Sequence, residues 1–131
     1  MDILVVDDTK SVQSMLSELL CEEGHTVETA NNGLDGLGKA QKGDYELFVI
    51  DHLMPLMNGT QLIKNLKKIP ELANKKIIFI TTQSHSTVQK LPEYSLFDKV
   101  IEKPFNKNTF LNVLSDLTDP VFQRKPIQVN G

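Results

Sequence analysis

Cysteine, tryptophan and long apolar runs are scarce or missing in this chain of 131 residues, which has one cysteine and no tryptophan. The single thiol, Cys21, cannot form an internal disulfide, which suits a reducing compartment such as the cytoplasm. Its place inside a helical pattern predicts an inert, partly buried side chain. No apolar run approaches the ~20 residues that a membrane-spanning helix needs. We therefore expect a cytoplasmic protein that does not insert into membranes.

Basic residues are also too few to indicate a nucleic-acid surface. The chain has 14 lysine and arginine residues against 17 acidic ones, which gives a formal net charge of −3. A domain that binds nucleic acid directly presents a basic patch or stripe. Hydrophobic residues at 40% and charged residues at 24% are ordinary for a globular protein, and the length suits one domain with a real core. No direct nucleic-acid partner is expected.

Short apolar runs alternate along the chain with segments of helical periodicity. A run without polar alternation is typical of a strand buried on both faces of a parallel sheet. Strands alternating with helices predict a doubly wound parallel α/β sheet with helices on both faces. The predicted strands cover residues 3–6, 26–30, 47–50, 76–80 and 99–102.

Two segments depart from this alternation. Between residues 86 and 95, Pro92 must end or distort any helix. After residue 118 the pattern stops, and we expect residues 119–131 to form a flexible C-terminal tail or the start of a linker. The predicted domain therefore covers residues 2–118.

Polar side chains follow four of the five predicted strands where each strand ends. Asp7 and Asp8 follow the first strand, Asp51 the third, Thr81 the fourth and Lys103 the fifth. In an open parallel sheet, ligands bind beyond the carboxyl ends of the strands, where the strand order reverses. If the order is 2-1-3-4-5, strands one and three are neighbours at that point. Three carboxylates would then converge with one hydroxyl and one ammonium group.

This combination of groups has a chemical interpretation. Three neighbouring carboxylates repel one another unless a cation joins them, and their hard oxygens suit Mg²⁺. A carboxylate beside such a cation can attack phosphorus and form an aspartyl phosphate. Lysine offers a positive charge to phosphoryl oxygens, and a hydroxyl group offers a hydrogen bond. Each residue type has a role in one phosphoryl-transfer reaction.

Four segments in this order and spacing closely resemble the receiver domains of bacterial two-component response regulators. They are Leu4-Val5-Val6-Asp7-Asp8, the stretch from Val49 to Gly59, Ile80-Thr81-Thr82 and Lys103-Pro104-Phe105. The resemblance covers about residues 2 to 118 and implies a flavodoxin-like, five-stranded sheet. It also implies a signalling domain in place of an enzyme, with a histidine kinase or histidine phosphotransfer protein as phosphoryl donor. The downstream effector protein is unknown.

The resemblance assigns a role to each matching residue. Asp51 would be the phosphoacceptor, and Asp7, Asp8, Asp51 and the backbone carbonyl of Leu53 would hold Mg²⁺. Thr81 would contact the phosphoryl group and move with it, and Lys103 would pair with it. The peptide bond before Pro104 would be cis, which proline permits at small energetic cost.

Three features differ from the usual family pattern. Val100 stands three positions before the lysine, where the family usually has an aromatic residue whose rotation reports phosphorylation. Leu96-Phe97 fills a region where the family often has a small Gly-Ala pair. Leu53 and Gln83 occupy the variable positions beside the phosphoryl site, and Leu53 can neither hydrogen-bond nor orient a water molecule.

Other functions are compatible with parts of the pattern. A haloacid-dehalogenase-type phosphohydrolase also uses an aspartyl phosphate, but it has an Asp-x-Asp arrangement in place of the adjacent Asp7-Asp8. A degenerate receiver that binds partners without phosphorylation is suggested by Val100 and Leu96-Phe97. A flavin-binding module lacks a phosphate-cradling loop here. The histidines at positions 25, 52 and 85 lack ligand spacing, so we interpret them as packed or solvated.

Overall fold

A computed structural model describes residues 1–118 as a five-stranded sheet with helices on both faces. The predicted tail, residues 119–131, lies outside the described residues. Within the described part of the chain, no helix combines the length and apolar character needed to cross a bilayer. The strands are β1 (Asp2–Val6), β2 (Thr26–Ala30), β3 (Leu47–Asp51), β4 (Lys76–Thr81) and β5 (Lys99–Glu102); the helices are α1 (Lys10–Glu22), α2 (Gly33–Lys42), α3 (Gly59–Lys67), α4 (His85–Val88) and α5 (Lys107–Thr118).

All strand pairs are parallel, and the strand order is β2-β1-β3-β4-β5. The predicted doubly wound fold and its strand order are therefore confirmed. Strand β3 lies at the centre, and all five of its residues are buried. In the register of β3 and β4, Asp51 lies opposite Ile80. The carboxyl ends of β1, β3, β4 and β5 consequently share one edge of the sheet.

The sheet separates two apolar layers because successive side chains of a strand point to opposite faces. One layer contains Ile50 and Phe79 from the sheet, packed with residues of α2 and α3. The other contains Val49 and Ile80, packed with residues of α1 and α5. Burial on both faces explains why the strands are continuous apolar runs.

Polar side chains and glycine fix the helix boundaries. Asn32 caps α2 by accepting the backbone N–H of Asp35, and Asn58 forms a capping box with Gln61 at the start of α3. Gly24, with φ of 91°, adopts the left-handed conformation that ends the turn after α1. These short-range interactions stabilise the ends of the helices.

The segment around Pro92 is irregular, as the proline predicts. Helix α4 has only 4 residues, and a 3₁₀ turn at Tyr94–Leu96 follows it. The prediction for Cys21 was wrong in one respect, because this thiol is exposed. The buried stripe of α1 consists of Gln13, Leu16, Leu19 and Leu20, and Cys21 lies beside that stripe on the helix surface.

Candidate functional site

Three carboxylates converge at the carboxyl edge of the sheet. Asp7 and Asp8 follow β1, and Asp51 ends the neighbouring strand β3. One oxygen from each of the three lies within 4.8 Å of the others. Asp7 and Asp51 are buried, whereas Asp8 is exposed. The sheet thus brings the predicted acidic residues into one cluster that opens to solvent beside Asp8.

Lys103 balances part of the charge of this cluster. Its ammonium nitrogen lies 3.0 Å from Asp7 Oδ2 and 3.1 Å from Asp51 Oδ1. The lysine follows β5, and its backbone N–H donates to the carbonyl of Thr81 at 2.7 Å. The next peptide bond, Lys103-Pro104, is cis, as the resemblance implies.

The ionisation of Asp51 reflects this crowded setting. Burial and the neighbouring charge of Asp7 raise the pKa of Asp51 to about 6, although Lys103 acts in the opposite direction. For Lys103, burial lowers the pKa, but the hydrogen bond and charge of Asp7 together with Asp51 outweigh burial and raise it overall. The single positive charge of Lys103 therefore does not compensate for the burial of Asp51 and the negative charge of Asp7. Lys103 itself remains an ammonium group.

The donor set fits a hard divalent cation. Three neighbouring carboxylates, two of which contact Lys103, leave excess negative charge, and carboxylate oxygens are the protein ligands that Mg²⁺ prefers. The exposed side of Asp8 leaves room for the water ligands that Mg²⁺ usually retains. The residues present are consistent with a magnesium site.

Two residues that the sequence analysis did not select for the site hold Asp7 in place. Thr9 donates its backbone N–H to Asp7 Oδ1 at 2.8 Å. The buried side chain of Gln13 donates to the carbonyl of Asp7 at 2.6 Å and to Asn31 Oδ1 at 3.0 Å. A glutamine on the buried stripe of α1 was the available signal, because a buried amide requires hydrogen-bond partners.

The loop after Asp51 is held close to the sheet by a glycine. The N–H of Gly59 donates to the carbonyl of His52 at 2.7 Å. A Cβ atom at Gly59 would lie 2.2 Å from the backbone oxygen of Asp51. Only a residue without a side chain permits α3 to begin this near the candidate phosphoacceptor.

Leu53 and Gln83 occupy the two variable positions that the sequence places beside the phosphoryl site. The side chain of Leu53 is 56% exposed, two residues beyond Asp51. Gln83 is half-buried, and its backbone N–H donates to the hydroxyl of Thr81 at 3.1 Å. An exposed leucine at this position can cover the cleft without offering a hydrogen bond.

Thr81 is fully buried at the end of β4, and its hydroxyl contacts a histidine. The oxygen Oγ1 lies 2.9 Å from Nδ1 of His52. Burial lowers the pKa of His52, although the charge of Glu93 acts in the opposite direction. The interpretation of His52 as a packed histidine agrees with its burial, but the sequence analysis missed the contact with Thr81. Strand register was the available signal, since Asp51 opposite Ile80 places position 52 beside position 81.

Aromatic rings occupy the region next to His52. The His52 ring lies 4.9 Å from that of Phe79, which stacks on Phe97 at 4.0 Å with an interplanar angle of 12°. Val100 lies opposite Phe79 in the sheet and packs on the same apolar layer. Phe97, one of the departures from the family pattern, therefore fills space against a core residue.

Comparison with known proteins agrees with this geometry. The family model for the response regulator receiver domain matches residues 3–115. The CpxR homolog of Haemophilus influenzae, named a transcriptional regulatory protein, is 36% identical over 79% of this chain and 44% of its own length. Chemotaxis protein CheY-3 of Vibrio cholerae is 30% identical over 95% of this chain and 93% of its own length. The chain spans about half the length of several other curated relatives that it matches.

Solved structures show the same likeness. CheY4 of Vibrio cholerae has a TM-score of 0.81 and 31% identity, with 87% of this chain and 95% of that chain covered. TrrA of Thermotoga maritima, solved in complex with Mg²⁺ and beryllofluoride, has a TM-score of 0.78 and 33% identity, with 88% of this chain and 97% of that chain covered. The chain belongs to the family of response regulator receiver domains.

Proposed function

We propose that Asp51 is the phosphoacceptor of this receiver domain and that residues 2–118 form the working unit. The observation that carries the proposal is the position of Asp51. Its buried carboxylate ends the central strand, 3.1 Å from the ammonium of Lys103 and beside the carboxylates of Asp7 and Asp8. Nucleophile, cation ligands and phosphoryl partner thus meet at one point.

In the proposed reaction, a carboxylate oxygen of Asp51 attacks the phosphorus of a phosphohistidine on the donor protein. The new O–P bond forms as the P–N bond breaks, and the bonding electron pair leaves with the histidine nitrogen. Bound Mg²⁺ would neutralise charge on the phosphoryl oxygens. Lys103 would pair with one phosphoryl oxygen, and Thr81 would donate a hydrogen bond to another.

The proposed metal ligands are Asp7, Asp8, Asp51 and the backbone carbonyl of Leu53. The acidic cluster supports this assignment, as does the Mg²⁺ in the related TrrA complex. The carboxylate of Asp7 is shared with Lys103, so Asp7 would hold the metal directly or through water.

The proposed role is a signalling switch and not a turnover enzyme. The domain would assist its own phosphorylation and dephosphorylation and would bind partners differently in the two states. A histidine kinase or histidine phosphotransfer protein would supply the phosphoryl group. The convergence of Asp7, Asp8, Asp51 and Lys103, at the sheet edge where Thr81 ends β4, favours this role over that of a degenerate receiver. A cytoplasmic location stays a prediction from the sequence.

Intact-mass measurement after incubation with acetyl phosphate and Mg²⁺ tests the proposal. We expect one phosphoryl adduct on the wild-type protein and on the control Asp116→Asn, in which an exposed carboxylate on α5 is removed. Asp51→Asn should carry none. An adduct that persists in Asp51→Asn would move the acceptor to another carboxylate or a histidine.

A further inference from the structure

Thr81 has only one proton with which to contact a phosphoryl group. A threonine hydroxyl donates one hydrogen bond and accepts up to two. In this protein the oxygen already accepts the N–H of Gln83 at 3.1 Å and lies 2.9 Å from Nδ1 of His52. Both partners lie outside the carboxylate cluster. The N–H of Gln83 takes only an acceptor position of the hydroxyl. Nδ1 of His52 is the partner that can take the hydroxyl proton and so compete with a phosphoryl oxygen.

The imidazole of His52 is a fixed partner. Its backbone N–H donates to the carbonyl of Ile80 at 2.8 Å, and its carbonyl accepts the N–H of Gly59 at 2.7 Å. Its ring packs on Phe79, a fully buried side chain in the apolar layer. The backbone of Thr81, the last residue of β4, is also held, because its carbonyl accepts the N–H of Lys103 at 2.7 Å. The contact between the two side chains would therefore break by rotation of the small threonine side chain and not of the packed ring.

We propose that His52 is a positioning residue, which holds the hydroxyl of Thr81 in its resting orientation by accepting its proton at Nδ1. The 2.9 Å contact fits this arrangement when the ring carries its proton on Nε2, so that Nδ1 is an acceptor. Phosphorylation of Asp51 would then have to withdraw the Thr81 proton from His52 before Thr81 can donate to a phosphoryl oxygen. This inference rests on the proposed function of Asp51 and Thr81, and it adds a residue that opposes the phosphorylated state.

Two substitutions separate the hydrogen bond from the packing of the ring. His52→Phe keeps an aromatic ring against Phe79 and removes the acceptor. His52→Asn loses the ring, but its side-chain oxygen can occupy the position of Nδ1 and accept the same proton. If the ring has a purely structural role, His52→Asn should change beryllofluoride binding more than His52→Phe does. If His52 is a positioning residue, His52→Asn should bind beryllofluoride like the wild-type protein.

The measurement is the affinity for beryllofluoride, used as a phosphoryl stand-in at a fixed Mg²⁺ concentration. We expect His52→Phe to bind it about two- to tenfold more tightly than wild type, the range expected for the net effect of one hydrogen bond. His52→Asn should stay within about twofold of wild type, a smaller change than one hydrogen bond produces. The gain from His52→Phe should disappear in a Thr81→Ala background, because no hydroxyl remains to be released. Equal or weaker binding by His52→Phe, or a gain that survives Thr81→Ala, would overturn the inference.

A second measurement reads the hydrogen bond in the wild-type protein and uses a variant only to assign the signal. Nitrogen-15 spectra of the imidazole rings should show His52 in the Nε2–H form, with an Nδ1 shift that changes when beryllofluoride binds. The His52→Asn spectrum identifies the signal among the three histidines. A proton on Nδ1 of His52 in the resting protein would overturn the inference, as would an unchanged Nδ1 signal on binding.

The two proposals fail in different ways. The proposed function is overturned, and this inference with it, if wild-type protein binds no beryllofluoride. The same holds if Asp51→Asn binds beryllofluoride with wild-type affinity. Binding that depends on Asp51 but does not respond to His52→Phe overturns only the role of His52.

Discussion

The ammonium nitrogen of Lys103 lies 3.1 Å from a carboxylate oxygen of Asp51, and it also contacts Asp7 at 3.0 Å. The lysine thus partly neutralises two carboxylates that a divalent cation would otherwise neutralise. We predict opposite effects of Lys103→Met on two ligands. Magnesium affinity should rise about five- to tenfold, or roughly 1 kcal/mol, because a competing positive charge is removed. Phosphorylation by acetyl phosphate should slow at least about tenfold, because the phosphoryl group loses its partner.

Magnesium titration and phosphorylation rates of wild type, Lys103→Met and Lys107→Met check this prediction. Lys107 is an exposed lysine at the start of α5 and serves as the control. Weaker magnesium binding by Lys103→Met would show that the lysine supports the metal site instead of competing with it.

Asp8 is the exposed member of the acidic cluster. Asp8→Ala removes one of three carboxylate ligands, and the remaining ligands compete poorly with the hydration shell of Mg²⁺. We expect magnesium affinity to fall at least about tenfold, since loss of even an outer-shell partner of a metal ligand typically costs that much. Titration of Asp8→Ala beside Asp116→Ala measures it, and equal affinities in the two variants would place the metal elsewhere.

Asp51 should destabilise the metal-free protein at neutral pH. Its pKa in the folded protein is about 6, against an ordinary value of 3.8. The folded state therefore binds more protons than the unfolded state between these values, and stability falls as the pH rises from about 4 to 6. We predict that Asp51→Asn stabilises the metal-free protein by about 1–2 kcal/mol at pH 7.5 after allowance for solvent screening.

Urea denaturation at pH 4 and pH 7.5, with and without Mg²⁺, tests this sign. The stability gained from Asp51→Asn should shrink at pH 4, because the Asp51 carboxyl of the folded wild-type protein is then largely neutral, like the amide that replaces it. Magnesium should stabilise wild type more than the variant. A variant less stable than metal-free wild type at pH 7.5 would contradict the prediction.

Leu53 should lengthen the life of the phosphorylated state. Hydrolysis of an aspartyl phosphate needs a water molecule in line with phosphorus, and an exposed apolar side chain at this position would shield that approach. Leu53→Asn should therefore speed dephosphorylation by about tenfold, equivalent to roughly 1.4 kcal/mol. The decay of phosphorylated protein after donor removal measures the effect in wild type, Leu53→Asn and the apolar control Leu53→Met. Decay of Leu53→Asn at the wild-type rate or below would assign the lifetime to other groups.

Gly59 and Gly38 provide a matched pair for the close approach beside Asp51. A Cβ atom at Gly59 would meet the backbone of Asp51 at 2.2 Å, whereas one at Gly38, inside α2, would meet nothing within 4 Å. We expect Gly59→Ala to destabilise the fold by about 1–3 kcal/mol through overpacking. Gly38→Ala should stabilise it by about 0.5–1 kcal/mol through helix propensity. Denaturation midpoints compare the two, and a neutral Gly59→Ala would show that the loop after Asp51 can move aside.

Several features were predictable because their causes are local. Continuous apolar runs indicated buried strands, and Pro92 marked where a helix fails. The rule that ligands bind beyond the carboxyl ends of parallel strands, with the strand order that the resemblance implies, then brought Asp51, Asp7 and Lys103 to one edge. The exposure of Cys21 was also readable, because this residue lies outside the spacing of the buried stripe of α1.

By itself, the sequence determined the alternation of strands and helices and the set of polar groups at the strand ends, since periodicity and strand ends are properties of the chain; the strand order followed from the resemblance to the receiver family. Only the tertiary structure decided which atoms of those groups meet. The contact between His52 and Thr81 joins neighbouring strands far apart in the chain, and Gln13 reaches Asp7 from the face of a helix. Such contacts depend on strand register and side-chain direction in the packed core, which the order of residues constrains but does not display.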